Sequence, residues 1–173
     1  MEFLELAKKR YSCRSFLEKK VEKEKIEKIL EAGRVAPTAV NYQPQRILVL
    51  QQKEQLEKLS NCTIYGWNAP VILVVCYDKN ISWKRKYDEK DEGIIDASIV
   101  TTHMMLEIAD LGLGTTWIGS FDPEKVKETY KIPENYEVVA LLPIGYPTED
   151  AKPAAMHEKR NTLEEITFWD YIN

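Results

Sequence analysis

Apolar residues recur at helical spacing along two stretches of this chain. From Val21 to Gly33, the side chains of Ile26, Ile29 and Leu30 fall on one helical face, and a glycine followed by a nearby proline ends the pattern. The stretch Ile94–Leu111 is longer and apolar on almost every side. Such a helix lies deep in a core or is shared with a second subunit.

Short apolar runs predict the strands. Ala69–Tyr77 is the strongest, because it is continuously apolar and rich in β-branched residues, which indicates a strand covered by helices on both faces. Helical and apolar runs alternate along the chain, so we expect a three-layer α/β/α arrangement. The other predicted strands are Ile47–Leu50, Thr115–Ile118 and Val138–Pro147, and the other predicted helices are Phe3–Lys9, Lys53–Asn61 and one that starts at Asp122-Pro123.

Composition limits the function classes. The 173 residues suffice for a single domain, residues 1–173, and are 44% hydrophobic and 30% charged with a net charge of −4. The acidic balance argues against nucleic-acid binding, and no apolar run has the length of about 20 residues that spans a bilayer. Cys13, Cys62 and Cys76 form no Cys-x-x-Cys pair and the N-terminus shows no secretion signal, so we expect a reduced, cytoplasmic protein without a metal.

The N-terminal segment Arg10-Tyr11-Ser12-Cys13-Arg14 concentrates cations and hydroxyls. Two guanidinium groups this close repel each other unless an anion lies beside them, and their planar donor geometry suits a phosphate. A second basic group, His157–Arg160, lies near the other end of the chain. We hypothesise that both ends converge on one phosphate-bearing cofactor, with solvated surface arginines as the alternative.

An amide-rich loop follows the first long helix. Between Pro37 and Pro44 the chain carries Asn41 and Gln43, each with a side-chain donor and acceptor that suit the edge of a heteroaromatic ring. The alternative is that Asn41 and Gln43 are ordinary turn and surface residues without a ligand. The later glycine-rich run, residues 112–119, is not a dinucleotide fingerprint, because Trp117 occupies the position of its third glycine.

Taken together, these motifs resemble the nitroreductase family of flavoproteins over nearly the whole chain. They are Arg10-x-Ser12-x-Arg14, the segment Ala36–Pro44, the segment Gly112–Gly119, Gly145-Tyr146-Pro147 and the late Arg160. The resemblance implies an α+β fold with a central, mostly antiparallel sheet. It also implies a homodimer whose C-terminal tail is exchanged between subunits, with FMN bound where the subunits meet.

By the same resemblance, Arg10, Ser12 and Arg160 hold the FMN phosphate and ribityl chain, and Arg14 lies near the N1/O2 edge of the flavin. Asn41 and Gln43 reach the ring from the other subunit. The full set of implied cofactor-binding residues is Arg10, Tyr11, Ser12, Arg14, Pro37, Thr38, Ala39, Asn41, Gln43, Pro143, Ile144, Gly145 and Arg160. Thr38 and Gln45 depart from the family pattern, as does the short segment 63–91, and this leaves the substrate open.

The implied function is an FMN-dependent oxidoreductase that passes hydride from NAD(P)H to an electron-poor acceptor, such as a nitroaromatic or a quinone, by a ping-pong mechanism. In this reading no side chain acts as a nucleophile and the flavin carries the chemistry. One alternative is another reaction on the same fold, such as reductive dehalogenation or flavin fragmentation. The others are a flavin-binding sensor without turnover and an interaction domain without a cofactor.

Overall fold

A four-stranded sheet forms the centre of the molecule. The computed structural model describes residues 2–172. Its strands, β1 (Gln45–Leu50), β2 (Val71–Asp78), β3 (Gly114–Thr115) and β4 (Tyr136–Gly145), are arranged in the order β1-β2-β4-β3, and each neighbouring pair is antiparallel. The predicted antiparallel sheet is therefore confirmed.

All eight residues of β2 are buried, so the strand is covered on both faces. Because successive side chains of a strand point to opposite faces, Leu73 and Val75 enter one apolar cluster while Val74 and Cys76 enter the other. The side chains of the neighbouring strand β4 alternate in the same way, with Leu142 in the first cluster and Leu141 in the second. The pattern of a continuously apolar strand thus predicted its burial correctly.

Residues 2–172 form six α-helices: α1 (Phe3–Lys9), α2 (Lys23–Arg34), α3 (Lys53–Lys58), α4 (Gly93–Asp110), α5 (Pro123–Tyr130) and α6 (Leu163–Ile166). The first cluster joins α2 and α4 to one face of the sheet through Ile29, Val100 and Met104. On the opposite face, Val126 of α5 packs with the second cluster. Helices on both faces confirm the predicted three-layer α/β/α arrangement.

Local signals in the sequence set two of the helix ends. Asp122 caps α5, because its side chain accepts a hydrogen bond from the Lys125 N–H at 3.1 Å, with Pro123 as the first helical residue. Helix α4 ends at Asp110, and Gly112, the residue after its C-cap Leu111, has a φ of 73° in the left-handed region that glycine adopts without strain. The start of α5 was predicted at Asp122-Pro123, and the predicted helical stretch Ile94–Leu111 ends one residue after the observed end of α4.

Strand β3 is shorter than predicted. The expected strand Thr115–Ile118 is observed only as Gly114–Thr115, although Ile118 and Leu141 still exchange backbone hydrogen bonds of 3.0 and 3.1 Å in the same register. That register places Thr116 opposite Pro143, which has no N–H to donate. The proline therefore interrupts the ladder between two paired positions.

The three cysteines are buried as free thiols. Burial raises the pKa of the Cys76 thiol to about 12, so this group remains protonated at neutral pH. No group of three or more potential metal ligands occurs within residues 2–172. None of the helices in the described part of the chain is long and apolar enough to cross a bilayer.

The C-terminal tail lies outside both apolar clusters. From Lys152 to Ile172 almost every residue is exposed, including Leu163, Phe168 and Trp169. Helix α6 is a single turn held by a capping box between Thr162 and Glu165. The tail therefore leaves a row of large apolar side chains uncovered in one copy of the chain, and its exchange between subunits stays a prediction.

Candidate functional site

The N-terminal segment is fixed to the edge of the sheet just after α1. Ser12 forms a parallel bridge with Thr115 of β3, and the Cys13 N–H donates to the Thr115 carbonyl at 2.9 Å. Cys13 also packs against Gly114, where a Cβ would lie 2.7 Å from the Cys13 sulfur. This close approach requires glycine at 114, and it holds the backbone between the two arginines in a defined position.

A cavity of about 400 Å³ opens beside this segment. Its walls come from two distant parts of the chain: Tyr11, Ser12, Arg14 and Ser15 on one side, and residues 150–155 on the other. The Tyr11 hydroxyl donates to the Ala151 carbonyl at 3.4 Å, and the Thr148 hydroxyl donates to the Ser15 hydroxyl oxygen at 2.8 Å. Polar contacts therefore join both walls of the cavity.

The charges at this cavity are mainly positive. Within residues 2–172, neither Arg10 nor Arg14 has a carboxylate within ion-pair distance, and the Arg14 Nη1 donates only to the Ser12 carbonyl at 3.4 Å. Lys152 adds a further cation to the wall and Asp150 adds one carboxylate. The neighbouring Thr148 side chain lowers the pKa of Asp150. The cavity thus offers guanidinium and hydroxyl donors that suit a phosphate.

The tail returns to α1 through His157. Its Nε2 lies 3.1 Å from the Lys8 carbonyl oxygen, and its ring meets the Tyr11 ring edge-on with centroids 6.4 Å apart. The structure therefore brings the second basic group back to the N-terminal segment. Arg160 is exposed and donates to the Lys159 carbonyl, and it is not part of the cavity wall.

The segment Pro37–Gln43, termed the amide loop from here on, has an unusual backbone. Val40, Asn41 and Gln43 have φ values of 54°, 56° and 52°, in the left-handed region that non-glycine residues seldom adopt. The Gln43 N–H donates to the Thr38 hydroxyl at 3.1 Å, and the Gln43 side chain donates to the Asn41 carbonyl at 3.3 Å. Both amide side chains are exposed and retain free hydrogen-bonding groups.

One contact ties the amide loop to the helical layer. The Ala39 N–H donates to the Asp96 Oδ1 of α4 at 2.8 Å, and Asp96 is only 2% exposed. Burial raises the pKa of this carboxyl above its usual value. No hydrogen bond or ion pair between described residues joins the amide loop to Arg10–Arg14. Within one copy, no polar contact among the described residues therefore connects the two predicted halves of the site.

The end of β4 is packed too tightly to expose its side chains. Ile144 is completely buried in the first apolar cluster, and a Cβ on Gly145 would lie 2.8 Å from Pro70. Pro143 is also buried. A ligand beside Pro143–Gly145 could therefore contact their backbone, but it could not contact the buried Ile144 side chain.

A larger groove, of about 1140 Å³, lies elsewhere on the molecule. It is lined by Glu18–Val21, by Gln51–Lys53 and by the loop before β2, and it contains none of the predicted cofactor-binding residues. Volume alone does not identify a site, whereas the smaller cavity combines convergent cations and hydroxyls. We therefore take the smaller cavity as the candidate functional site.

Sequence reasoning missed several residues that shape this site. Ser15, Thr148 and residues 150–155 complete the cavity, and Asp96 anchors the amide loop. Ser15 follows Arg14 directly, so its position next to a predicted site residue could have indicated it. The roles of Thr148 and Asp96 depend on partners 133 and 57 residues away in sequence, which no local pattern reveals.

Comparison with known proteins identifies the family. The model described as "Nitroreductase family" matches residues 7–66 and 65–146, so the chain belongs to the nitroreductase family. A nitroreductase family protein from Clostridium difficile 630 has a similar solved structure, with a TM-score of 0.93 and 44% identity over 99% of this chain and 100% of that one. The predicted family and fold are thereby confirmed.

Two further relatives carry functional names. An "FMN reductase [NAD(P)H]" from Bacillus subtilis is 30% identical over 173 aligned residues, covering 88% of this chain and 70% of that protein. The solved structure of an "FMN-dependent Nitroreductase" from Clostridium difficile R20291 has a TM-score of 0.81 and 30% identity, covering 98% of this chain and 100% of that chain. The predicted class of enzyme, an oxidoreductase of the nitroreductase type, is confirmed.

The left-handed backbone of the amide loop gives a stability prediction. Val40 is β-branched and exposed, so its φ of 54° costs energy without a compensating apolar contact. We expect Val40→Gly to raise the free energy of unfolding by about 0.5–1 kcal/mol, measured by urea denaturation. The matched control is Val35→Gly, because Val35 is also well exposed but has a φ of −87°, so this variant should lose stability. Loss of stability in both variants would argue against strain at Val40.

Proposed function

We propose that this protein is an FMN-dependent oxidoreductase that transfers hydride from NAD(P)H to an electron-poor acceptor such as a nitroaromatic or a quinone. The observation that carries the proposal is the cavity of about 400 Å³ beside Ser12 and Arg14, with its cations and hydroxyls. Family membership and the printed names of the relatives, an FMN reductase and an FMN-dependent nitroreductase, support the choice of cofactor.

The groups at the cavity fit the phosphate end of FMN. Arg10 and Arg14 have no carboxylate partner among residues 2–172, so both can pair with negative charge on FMN, Arg10 with the phosphate and Arg14 with the ring edge. Of the two, Arg14 lines the cavity and Arg10 lies just before the lining segment. Ser12 and Ser15 add hydroxyl donors, and Tyr11 closes the wall against Ala151. In this proposal Arg10, Tyr11 and Ser12 bind the phosphate and ribityl chain, and Arg160 joins them from the tail.

Uncovered apolar surface supports a homodimer. Phe3 and Leu4 of α1 are more than half exposed, as is Trp169 of the tail, and Ile94 and Ile95 at the start of α4 are about half exposed. Large apolar side chains that lie together at a surface indicate an interface. We therefore propose that two copies associate and exchange their tails, which covers these residues.

A second copy would also complete the site. In one copy the cationic cavity and the amide loop are not joined, although both carry groups that suit a flavin. In the proposed dimer, Pro37, Thr38, Ala39, Asn41 and Gln43 of one copy approach the ring held by the other. Their amide groups supply donors and acceptors for the polar edge of the ring.

The proposed mechanism divides the work between cofactor and protein. FMN, when bound, supplies the redox chemistry by accepting hydride from NAD(P)H and passing electrons to the acceptor. Arg14 would supply a positive charge that stabilises negative charge at the N1/O2 edge of the bound ring. The backbone of Pro143–Gly145 forms a rigid wall, since those residues are buried in and beside the sheet.

The function is tested on purified protein, without added flavin and then with FMN. We expect bound FMN with flavin absorption bands, and rapid NAD(P)H oxidation once a nitroaromatic or a quinone is added. A colourless protein that does not take up FMN would contradict the proposal. Bound FMN without turnover would instead indicate a flavin-binding protein, and turnover restricted to other acceptors would indicate another reaction on the same fold.

Replacing Arg14 tests the electrostatic role of its side chain. Arg14 is exposed, and among the described residues its side chain makes a single hydrogen bond, at 3.4 Å, so Arg14→Ala should retain the fold. Because the guanidinium stabilises negative charge on the reduced flavin, the variant should show a more negative midpoint potential in a spectroscopic redox titration. The matched control is Arg34→Ala, which removes an exposed arginine from α2, away from the cavity. An unchanged potential in Arg14→Ala would remove Arg14 from this role.

A further inference from the structure

The amide loop needs a contact from outside the loop to fix its position on the molecule. Three of its residues, Val40, Asn41 and Gln43, have left-handed backbone conformations. Each costs free energy and persists only where surrounding contacts impose it. The hydrogen bonds from Gln43 to Thr38 and Asn41 are internal to the loop. They define its shape, but they cannot fix its position relative to the rest of the molecule.

Asp96 supplies a contact from outside the loop. It lies in the first turn of α4, is 2% exposed, and its Oδ1 accepts the Ala39 N–H at 2.8 Å. Ala39 begins the single 3-10 turn of the loop, so this hydrogen bond holds the point where the left-handed residues begin. Hydrogen bonds to a carboxylate are stronger than those between neutral groups.

The carboxyl is in an unfavourable place for a charge. Its Oδ2 is buried and has no hydrogen-bond partner among the described residues. Desolvation raises the pKa of Asp96, and the nearby carboxylates of Asp91 and Glu92 act in the same direction, whereas the Ala39 hydrogen bond acts against them. An apolar side chain at this position would avoid the cost of desolvation. What the carboxyl specifically provides is the acceptor for Ala39.

We propose that Asp96 is a positioning residue that holds the amide loop in the geometry that presents Thr38, Asn41 and Gln43 to the flavin of a second copy. This inference rests on the proposed function. Asp96 itself acts through the Ala39 N–H and touches neither cofactor nor substrate. Loss of its carboxyl should therefore release the loop and weaken FMN binding, while the sheet and its two apolar clusters remain folded.

Three variants distinguish the role of Asp96 as a hydrogen-bond acceptor from the role of its negative charge. Asp96→Ala removes the acceptor, and Asp96→Asn keeps a side-chain carbonyl that can still accept the Ala39 N–H. Ala39→Pro removes the donor without changing α4, and the extended backbone of Thr38 before it is compatible with a following proline. Asp110→Ala, an exposed carboxylate at the other end of the same helix, is the matched control.

Two measurements are made on each variant: the FMN dissociation constant and hydrogen–deuterium exchange of the peptide covering residues 37–43. For Asp96→Ala and Ala39→Pro we expect the dissociation constant to rise by about 10-fold or more, because a hydrogen bond to a charged group is lost. Exchange in the amide loop should accelerate, and exchange in β2 should not change. Asp96→Asn should recover most of the affinity, and Asp110→Ala should behave as the unmodified protein.

Hydrogen–deuterium exchange is also measured on protein without FMN. This inference can therefore be tested even if the proposed function is wrong. If the unmodified protein does not bind FMN, the proposed function fails, and faster loop exchange in Asp96→Ala still supports the anchoring contact. Unchanged loop exchange in both Asp96→Ala and Ala39→Pro would overturn the inference. So would an FMN affinity in these two variants equal to that of the unmodified protein. If Asp96→Ala does not fold, Ala39→Pro and Asp96→Asn give the answer.

Discussion

Burial of β2 on both faces is the constraint on which the rest of the structure depends. Its side chains alternate between two apolar clusters, so each face of the sheet must be covered by its own layer of helices. Burying apolar side chains contributes about 25 cal/mol per Å² of apolar surface, which makes this pair of clusters the main source of stability. The two clusters are built from apolar side chains, and the candidate site lies at an edge of the sheet.

Both halves of the proposed site follow from that arrangement. The N-terminal segment is held at the sheet edge by the pairing of Ser12 with Thr115, and the amide loop directly precedes β1 and is held by Asp96 of α4. Nothing in the described part of one copy joins the two. The absence of a hydrogen bond between the two segments, together with the uncovered apolar surface, is the structural reason to propose a second copy.

Much of the fold could be predicted from local pattern. The spacing of Ile26, Ile29 and Leu30 reflects the buried face of α2, and Asp122-Pro123 marks the start of α5 because capping is a local interaction. The early end of β3 was not predicted. It depends on Pro143 lying opposite Thr116, and this register is set by pairing between distant strands.

The candidate site was predictable only in part. Arg14 and Ser12 stood out because their side chains are close in sequence, and the structure does line one cavity with them. The left-handed backbone of Val40 opposes the intrinsic preference of valine, so no propensity argument could indicate it. Asp96 looked like one polar residue in an apolar helix, because its partner Ala39 is 57 residues away.

The central claim is that each site contains the cationic segment of one copy and the amide loop of the other. Subunit complementation tests it most directly, by coexpressing a chain with Ser12→Ala and Arg14→Ala and a chain with Asn41→Ala and Gln43→Ala. A mixed dimer would have one site with all four side chains, so about half of its sites should bind FMN with normal affinity. If each site were built from one chain, no intact site would form, and the absence of any normal-affinity binding in the isolated mixed dimer would contradict the account.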